Sequence, residues 1–229
     1  MSNVLLLKIS PPMQSWGVSD KFTVFRKTNR YPTKSGVIGM IASSLGWDRD
    51  HDLSRLASLR MGVRIDSKGS MEYDYQTARA VGDKNSKLSK KYYLEDAVFI
   101  VGLESDDIEW LHEIMDALND PVYTIFAGRK SYPLNPDMVM GIKTGESIES
   151  AFSSLPWEGS GHSQRKVETI IDSTDTDSNA LINDYPVSYA FGNRKWTSRP
   201  VRCDWIEFNN ENNVDTMNDA FMSLGKELS

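Results

Sequence analysis

The order of the apolar segments along the chain constrains the fold more than any other feature. A nearly continuous apolar run at Val4–Ile9 is typical of a central strand, and apolar residues at helical spacing follow in Gly36–Leu45. Apolar and polar residues then alternate over Met61–Ile65, which predicts a half-buried strand. The same order of strand, helix and strand is predicted a second time over Ala97–Leu103, Ile108–Leu118 and Val122–Ala127.

The repeated β-α-β order predicts an α+β fold of the split ferredoxin-like (RRM-like) type, in which a sheet has two helices on one face. The RNA recognition motif shares this fold. A polar insertion, Ser67–Glu95, separates the two units, and its lysine-rich middle shows no apolar periodicity. Because such a stretch cannot bury itself, we expect it to project as an arm or loop. We predict a ferredoxin-like core over residues 1–145 and a less regular, β-rich extension over residues 146–229. The extension ends in a predicted amphipathic helix that is marked by Val214, Met217, Phe221 and Leu224.

The segment Arg30–Gly39 leads from a Pro-containing bend into the first predicted helix. Free backbone N–H groups, the Lys34 ammonium and the hydroxyls of Thr33 and Ser35 converge at one helix N-terminus, which favours a phosphate group. A nucleotide-binding phosphate loop needs glycines where this chain has Thr28 and Thr33, so the sequence excludes that class of NTPase. The alternative is a plain capping motif in which Thr33 or Ser35 closes the helix and Lys34 is present by accident.

The charge of the chain is distributed unevenly. The net charge is −6, which by itself disfavours nucleic acid, but Asp20–Lys34 holds five cations and one acid. By contrast, Glu104–Asp120 holds seven acids and no Lys or Arg. The basic segment flanks the predicted helix N-terminus, so we interpret it as RNA-facing. The acidic segments are either solvated faces or faces for basic partners.

A bend near the N-terminus carries Gln14, Ser15 and Trp16 between Pro and Gly. The amide and the hydroxyl are suited to polar contacts with RNA, whereas the indole either stacks on a base or fills the core.

Two further segments contribute cations. Arg129 and Lys130 follow Gly128 directly after a predicted strand, and they either approach a phosphate or form a solvated turn. The insertion contributes Lys84 and Lys87, in an arm that orders on a polyanion or in a plain surface loop.

The sequence offers little for catalysis or metal binding. Cys203 is the single cysteine, which excludes an internal disulfide and a cysteine-based zinc site. His51, His112 and His162 are far apart and indicate neither a metal pair nor a nucleophile–base pair. We therefore expect no catalytic residue, no metal and no cofactor. No apolar run is long enough to span a membrane and the start lacks a secretory signal, so we expect a cytoplasmic protein.

Six short segments are specific in combination, although each is weak alone. They are Pro12-Met13-Gln14-Ser15-Trp16-Gly17, Pro32-Thr33-Lys34-Ser35-Gly36 with Gly39, Val63-Arg64-Ile65-Asp66, Asp74-Tyr75-Gln76-Thr77, Tyr93-Leu94-Glu95-Asp96-Ala97 and Gly128-Arg129-Lys130-Ser131-Tyr132-Pro133. In this order they resemble the CasD family, whose members lie at the 5′-handle end of the type I-E CRISPR surveillance complex, Cascade. The resemblance covers roughly residues 5–141, and the C-terminal third matches only loosely.

The resemblance implies a ferredoxin-like core with a basic, thumb-like arm at about residues 77–92, and a role in assembly rather than in turnover. CasD-like subunits hold the 5′ handle of the CRISPR RNA, their thumb inserts beside the backbone subunit CasC, and the large subunit CasA packs nearby. The implied function is a non-catalytic RNA-binding scaffold that caps the filament of backbone subunits and meets target DNA only through the complex. The residues expected to contact RNA are Gln14, Ser15, Trp16, Arg26, Lys27, Arg30, Thr33, Lys34, Ser35, Gln76, Thr77, Lys84, Lys87, Arg129 and Lys130.

One departure from the family pattern bears on catalysis. Many relatives have His where this chain has Gln76, and a Gln cannot shuttle protons as an imidazole can, although it can hydrogen-bond a base or a phosphate. The alternative function is a metal-independent endoribonuclease that processes precursor CRISPR RNA, as the corresponding subunit does in the related type I-C system. Such an enzyme would need an acid–base pair in which Tyr75, Lys34 or a nearby Lys takes the place of the histidine.

Overall fold

The computed structural model describes residues 1–17, 25–79, 81–82, 86–159 and 166–208. In these ranges the helices are α1 (Lys34–Ser44), α2 (Ser54–Ala57), α3 (Ile108–Asn119) and α4 (Ile148–Ser154). The strands are β1 (Asn3–Ile9), β2 (Met13–Gln14), β3 (Trp16–Gly17), β4 (Phe25–Arg26), β5 (Thr28–Asn29), β6 (Arg60–Ser67), β7 (Ser70–Ala78), β8 (Lys87–Glu95), β9 (Val98–Ser105), β10 (Val139–Thr144), β11 (Lys166–Asp172), β12 (Ala180–Ser188) and β13 (Lys195–Glu207).

A seven-stranded antiparallel sheet, in the order β10-β1-β9-β6-β11-β13-β12, gives a mixed α/β fold with few helices. Strand β1 lies inside it, between β10 and β9. Leu5, Leu7 and Ile9 pack with α1 and α3 on one face, whereas Val4 and Leu6 pack with α4 on the other. Because both faces are buried, the segment has apolar residues at nearly every position.

Five of the six predicted segments are confirmed, since β1, α1, β6, β9 and α3 occupy them. The sixth, a strand over Val122–Ala127, is wrong. The backbone N–H groups of Val122 and Tyr123 donate to carbonyls in the last turn of α1, so they are not available to a sheet. Strand β10 pairs with β1 instead, across a bulge and with Gly141 at a φ of 109°. That irregular geometry conceals the strand in the sequence.

The polar insertion, which was expected to project as an arm or loop, folds into a β-hairpin of β7 and β8. The ladder pairs Ser70 with Glu95 at its base and Ala78 with Lys87 at its far end. Strand β8 also pairs with β2 and, in parallel, with β4, which makes a second sheet of four strands. Aromatic and polar residues alternate over Tyr73–Gln76, and this alternation is the strand signal that the lysine-rich middle obscured.

Strands from both sides of the predicted domain boundary near residue 145 share the main sheet. The division into two domains stays a prediction. The predicted C-terminal helix and Lys84 lie outside the described residues. Among the described helices, none combines the length and apolar character that a membrane crossing requires.

A buried ion pair fastens the region after α4 to the sheet. Arg64 and Asp66 of β6 are both fully buried, and the guanidinium donates to the two carboxylate oxygens at 2.7 Å. Its other N–H groups donate to the carbonyls of Phe152, Leu155 and Pro156 at 2.6–2.8 Å. This set of bonds satisfies the guanidinium, which explains why two charged residues are tolerated inside an apolar strand.

Candidate nucleic-acid interface

The N-terminus of α1 is closed by groups of the protein itself. Thr33 is the N-cap, and its hydroxyl oxygen accepts a hydrogen bond from the Gly36 N–H at 3.2 Å. The Lys34 N–H donates to a carboxylate oxygen of Asp184, a buried residue of β12, at 2.7 Å. The backbone N–H groups here are therefore not all free, because Asp184 supplies the negative charge that a helix N-terminus favours. Phosphate binding at this N-terminus stays a prediction.

The Lys34 side chain belongs to a buried ionic network. Its ammonium donates to Asp172 and to the Leu59 carbonyl, both at 2.7 Å, and the residue is 3% exposed. Arg199 completes the network by bonding both Asp172 and Asp184. Burial lowers the pKa of Lys34, and the Asp172 carboxylate opposes that shift. Contact between Lys34 and a phosphate stays a prediction, and it would require these bonds to break.

The Pro- and Gly-containing bend near the N-terminus also faces inward. Trp16 is 1% exposed and packs against Gly36, where a Cβ would lie 2.9 Å from the indole. Gln14 is fully buried, donates to a backbone carbonyl at 2.6 Å and accepts from the Trp16 indole N–H at 3.1 Å. Ser15 is 7% exposed. Of the two roles considered for the indole, the structure therefore supports core filling.

Exposed aromatic rings and a cation gather on one face of the β7–β8 hairpin. Tyr73, Tyr75, Lys90 and Tyr92 occupy neighbouring positions of the ladder on this face. The Lys90 ammonium lies 3.4 Å from the Tyr73 ring centre, 5.1 Å from that of Tyr92 and 5.5 Å from that of Tyr75. Tyr73 and Tyr75 are 48% and 58% exposed. Exposed rings beside a cation can receive an unstacked base together with its phosphate.

The opposite face of the hairpin carries polar and charged groups. Lys91 donates to the Gln76 side chain, which in turn donates to Asp74 at 2.9 Å. Arg26 of β4 lies opposite Lys91 in the parallel ladder, and Arg26 and Lys27 are exposed. The second sheet thus brings Arg26 near Gln76, and Lys27 directly follows Arg26 in the chain; the three were predicted separately from the sequence.

The turn that begins at Gly128 is fixed to the base of the hairpin. Gly128 has a φ of 86°, and a Cβ there would lie 1.6 Å from the Ser15 carbonyl oxygen, so a side chain is not tolerated. The Arg129 guanidinium donates to the Tyr92 carbonyl at 2.7 Å and to a tyrosine hydroxyl at 2.9 Å. Lys130 is exposed. Arg129 therefore supports β8, and Lys130 presents its charge to solvent.

We use the name hairpin surface for the exposed and half-buried groups that lie on both faces of the hairpin and beside it. Its members are Arg26, Lys27, Tyr73, Tyr75, Gln76, Lys90, Lys91, Tyr92, Arg129 and Lys130. Tyr73, Lys90, Lys91 and Tyr92 were not predicted as RNA contacts, because the pairing of β7 with β8 is what places Tyr73, Lys90 and Tyr92 on one face and Lys91 on the other.

The remaining predicted contacts lie in several places. Arg30 and Thr77 are exposed, Ser35 is half-buried in α1, and Lys87 belongs to β8 with its side chain outside the described part of the chain. The predicted contacts that are buried are Gln14, Ser15, Trp16, Thr33 and Lys34.

The described residues contain no group of three or more His, Cys, Asp and Glu side chains that could hold a metal ion. His51 stacks on Trp47 with ring centres 4.0 Å apart, and Nδ1 of His112 lies 3.0 Å from the Ile108 carbonyl oxygen within α3.

Comparisons with known proteins agree on one family. The model of the family described as CRISPR-associated protein (Cas_Cas5) matches residues 4–202. The CRISPR system Cascade subunit CasD of Escherichia coli (strain K12) is 31% identical over an alignment of 168 residues, and the match covers 62% of this chain and 71% of that protein. A solved chain of a CRISPR RNA-guided surveillance complex matches with a TM-score of 0.77 and 26% identity, over 97% of this chain and 99% of that chain. A crystal structure of a Cas protein matches with a TM-score of 0.72 and 32% identity, over 89% of this chain and 95% of that chain.

The chain therefore belongs to the CRISPR-associated protein (Cas_Cas5) family, as a CasD-type subunit of a Cascade ribonucleoprotein complex. The family resemblance carried by the six short segments is confirmed.

Proposed function

We propose that this chain is a non-catalytic RNA-binding scaffold, which holds the 5′ handle of the CRISPR RNA and caps the filament of backbone subunits in a cytoplasmic Cascade-type complex. Its partners are the CRISPR RNA, the backbone subunit CasC and the large subunit CasA, and it meets target DNA only through the complex. The observation that carries the proposal is the hairpin surface, where cations, an amide and exposed tyrosines gather on a chain of net charge −6.

The strand order supports the finer assignment of a ferredoxin-like core. In chain order β1, α1, β6, β9, α3 and β10 give β-α-β-β-α-β, and the strands lie side by side as β10-β1-β9-β6. RNA recognition motifs bind RNA on the open face of such a sheet. Here α4 covers that face through contacts with Val4, Leu6 and Ile100. The proposal therefore assigns RNA to the inserted hairpin rather than to the main sheet.

The hairpin surface offers both kinds of contact that single-stranded RNA needs. Arg26, Lys91 and Lys130 provide cations for phosphates, which position the strand without reading its sequence. Tyr73 and Tyr75 provide ring faces on which splayed bases stack. In this arrangement the contacts to phosphates provide most of the binding affinity, and the contacts to bases provide the sequence specificity.

The alternative endoribonuclease is less well supported by the geometry. An acid–base pair must meet at one scissile phosphate. Lys34, one candidate, is bonded to Asp172 and to a backbone carbonyl beneath the surface, whereas Tyr75, the other, lies exposed on the hairpin. Gln76 bonds Lys91 and Asp74 and is no proton shuttle. These residues fit the binding of RNA better than its cleavage.

Salt-dependent RNA binding tests the proposal. The full-length chain is titrated against a fluorescein-labelled, single-stranded RNA derived from the CRISPR repeat, at several salt concentrations, with fluorescence anisotropy as the readout. Each phosphate contact to a single strand contributes about 0.7 to the slope of log affinity against log salt. Arg26→Ala combined with Lys91→Ala should therefore weaken binding and reduce the steepness of the slope by about 1.4.

The matched control combines Lys166→Ala with Arg202→Ala. These side chains are 51% and 61% exposed on β11 and β13, so the control removes the same charge from another surface. Equal losses in both pairs, or an affinity that does not depend on salt, would contradict the proposal. A discrete cut in the RNA in the presence of EDTA, lost in Tyr75→Phe, would favour the endoribonuclease instead.

A further inference from the structure

The turn between β12 and β13 presents an unusual combination of side chains. Phe191 is 91% exposed and Trp196 is 37% exposed. Arg194 and Lys195 lie between them and are both exposed. From residue 185 to residue 203 the chain carries four cations and no acid. A nearly free aromatic ring beside two cations, in an acidic protein, indicates a surface that meets an anionic partner with planar groups.

The base of this turn is held firmly. The Tyr189 hydroxyl donates to the Ser35 carbonyl at 2.5 Å, and its ring packs on Gly39, where a Cβ would lie 3.7 Å from the ring atoms. The Asn193 N–H closes the turn with a backbone hydrogen bond of 3.0 Å. Burial raises the pKa of Tyr189, which keeps its hydroxyl a donor. Phe191 therefore projects from a fixed support, so little conformational entropy is lost when a ligand contacts it.

A series of contacts connects the turn to the hairpin surface. Strand β4 pairs with β8 at Arg26 and Lys91, and β5, which follows it, pairs with β3 at Trp16. Trp16 packs on Gly36 of α1, and the carbonyl of the residue before Gly36 bonds Tyr189 at the base of the turn. The exposed or half-exposed cations along this path are, in order, Lys91, Arg26, Lys27, Arg30, Arg194 and Lys195.

We propose that the β12–β13 turn is a second contact for single-stranded RNA, at which Phe191 stacks on a base while Arg194 and Lys195 bind flanking phosphates. The inference rests on the proposed function, since it takes the RNA on the hairpin surface to continue along β4 and β5. Neither Arg194 nor Lys195 forms an ion pair within the described ranges, so both charges are available to a phosphate.

Trp205 is another exposed tryptophan, but the net charge around its ring differs from that around the β12–β13 turn. It is 49% exposed, with Lys68 and Lys166 each 5.7 Å from its ring centre. Each of these lysines is paired with a glutamate, Glu168 or Glu207. The positive charge around Trp205 is therefore balanced by carboxylates. That surface attracts a polyanion much less than the β12–β13 turn does.

The test uses the full-length chain and the repeat-derived RNA described above. Phe191→Ala should raise Kd at least about fivefold, the lower limit for loss of one stacked base. Phe191→Tyr keeps a ring and should bind as the wild type does. Arg194→Ala with Lys195→Ala should reduce the steepness of the salt slope by about 1.4. Leu181→Ala, which truncates a 72% exposed side chain elsewhere on β12, is the matched control and should leave Kd unchanged.

The outcomes separate this inference from the proposed function. If Arg26→Ala with Lys91→Ala weakens RNA binding while every turn variant binds normally, the second contact is overturned and the proposed function stands. If the wild-type chain binds no RNA, both fall. If the turn variants keep their RNA affinity but lose a partner subunit on co-purification, the turn is a protein-docking surface, and the RNA contact is again overturned.

Discussion

The carboxylate of Asp184 serves both the N-terminus of α1 and the guanidinium of Arg199. It accepts the Lys34 N–H and two bonds from Arg199, over distances of 2.6–3.1 Å. Asp184→Ala would leave that N–H without its partner and would leave Arg199, which is 4% exposed, with Asp172 alone. Breaking a buried charge pair in this way costs about 3–5 kcal/mol. The lost anion at the helix N-terminus accounts for about 0.3–1 kcal/mol of this cost.

Thermal unfolding of the full-length chain measures this cost. In a chain of 229 residues each kcal/mol shifts Tm by about 2–4 °C, so Asp184→Ala should lower Tm by roughly 6–20 °C. Asp184→Asn loses the charge but keeps an acceptor, and its Tm should lie between those of Asp184→Ala and the wild type. Asp175→Ala removes an exposed acid from the turn after β11 and should change stability by less than about 0.5 kcal/mol. If Asp184→Ala unfolded at the same temperature as Asp175→Ala, the reasoning would be refuted.

The same variants distinguish two roles for the N-terminus of α1. If Asp184 merely masks a phosphate site, Asp184→Asn would free that site, and RNA would bind more tightly below the unfolding temperature. We expect no such gain, because Lys34 and Arg199 remain beneath the surface and bonded to Asp172. Tighter binding with a steeper salt dependence would instead show that this N-terminus can receive a phosphate.

Three further outcomes are expected, for the Arg64–Asp66 pair, for the turn at Gly128 and for the Arg60–Glu149 pair. In denaturant unfolding, Arg64→Met should lower the unfolding free energy by about 3–5 kcal/mol, and adding Asp66→Leu should recover part of the loss. Gly128→Ala should weaken RNA binding by displacing the turn, because a Cβ would lie 1.6 Å from a carbonyl oxygen; circular dichroism checks that the fold survives. The Arg60 guanidinium holds the pKa of Glu149 below its ordinary value of 4.5, so the stability from this pair is present above that pH and lost as pH falls through the lowered pKa. Glu149→Gln should remove that part of the pH dependence of unfolding.

Segments whose burial follows a local pattern were predictable from the sequence. Strand β1 and helices α1 and α3 bury faces that repeat at strand or helix spacing within a few residues. The segment Val122–Ala127 has an equally good strand pattern, but its first two N–H groups donate to carbonyls at the end of α1. Strand β10 has a weaker pattern, yet it occupies the edge of the sheet. Competition of this kind is decided by tertiary contacts, which a short window of sequence does not contain.

The cations predicted for the candidate site include some that lie near the protein surface and one that is buried. Arg26, Lys27 and Arg129 were nominated because they are basic residues near bends, and the strand pairing brings them together. Lys34 has the same local features, but its partners Asp172 and Asp184 lie 138 and 150 residues further along the chain. Local sequence therefore does not distinguish a cation near the protein surface from one that is already neutralised inside the protein.

The residues around the N-terminus of α1 act together as a framework that connects several elements of the fold. Thr33 caps the helix, the Lys34 backbone fixes β12 through Asp184, and the Ser35 carbonyl holds the base of the β12–β13 turn. Gly36 leaves room for Trp16, and through it for β3 and β5. One short segment thus connects the strands that lead to the hairpin surface with the turn that carries Phe191. It follows that this helix start sets the spacing between the hairpin surface and the β12–β13 turn. If both bind RNA as proposed, it also sets the length of single strand that can engage both at once.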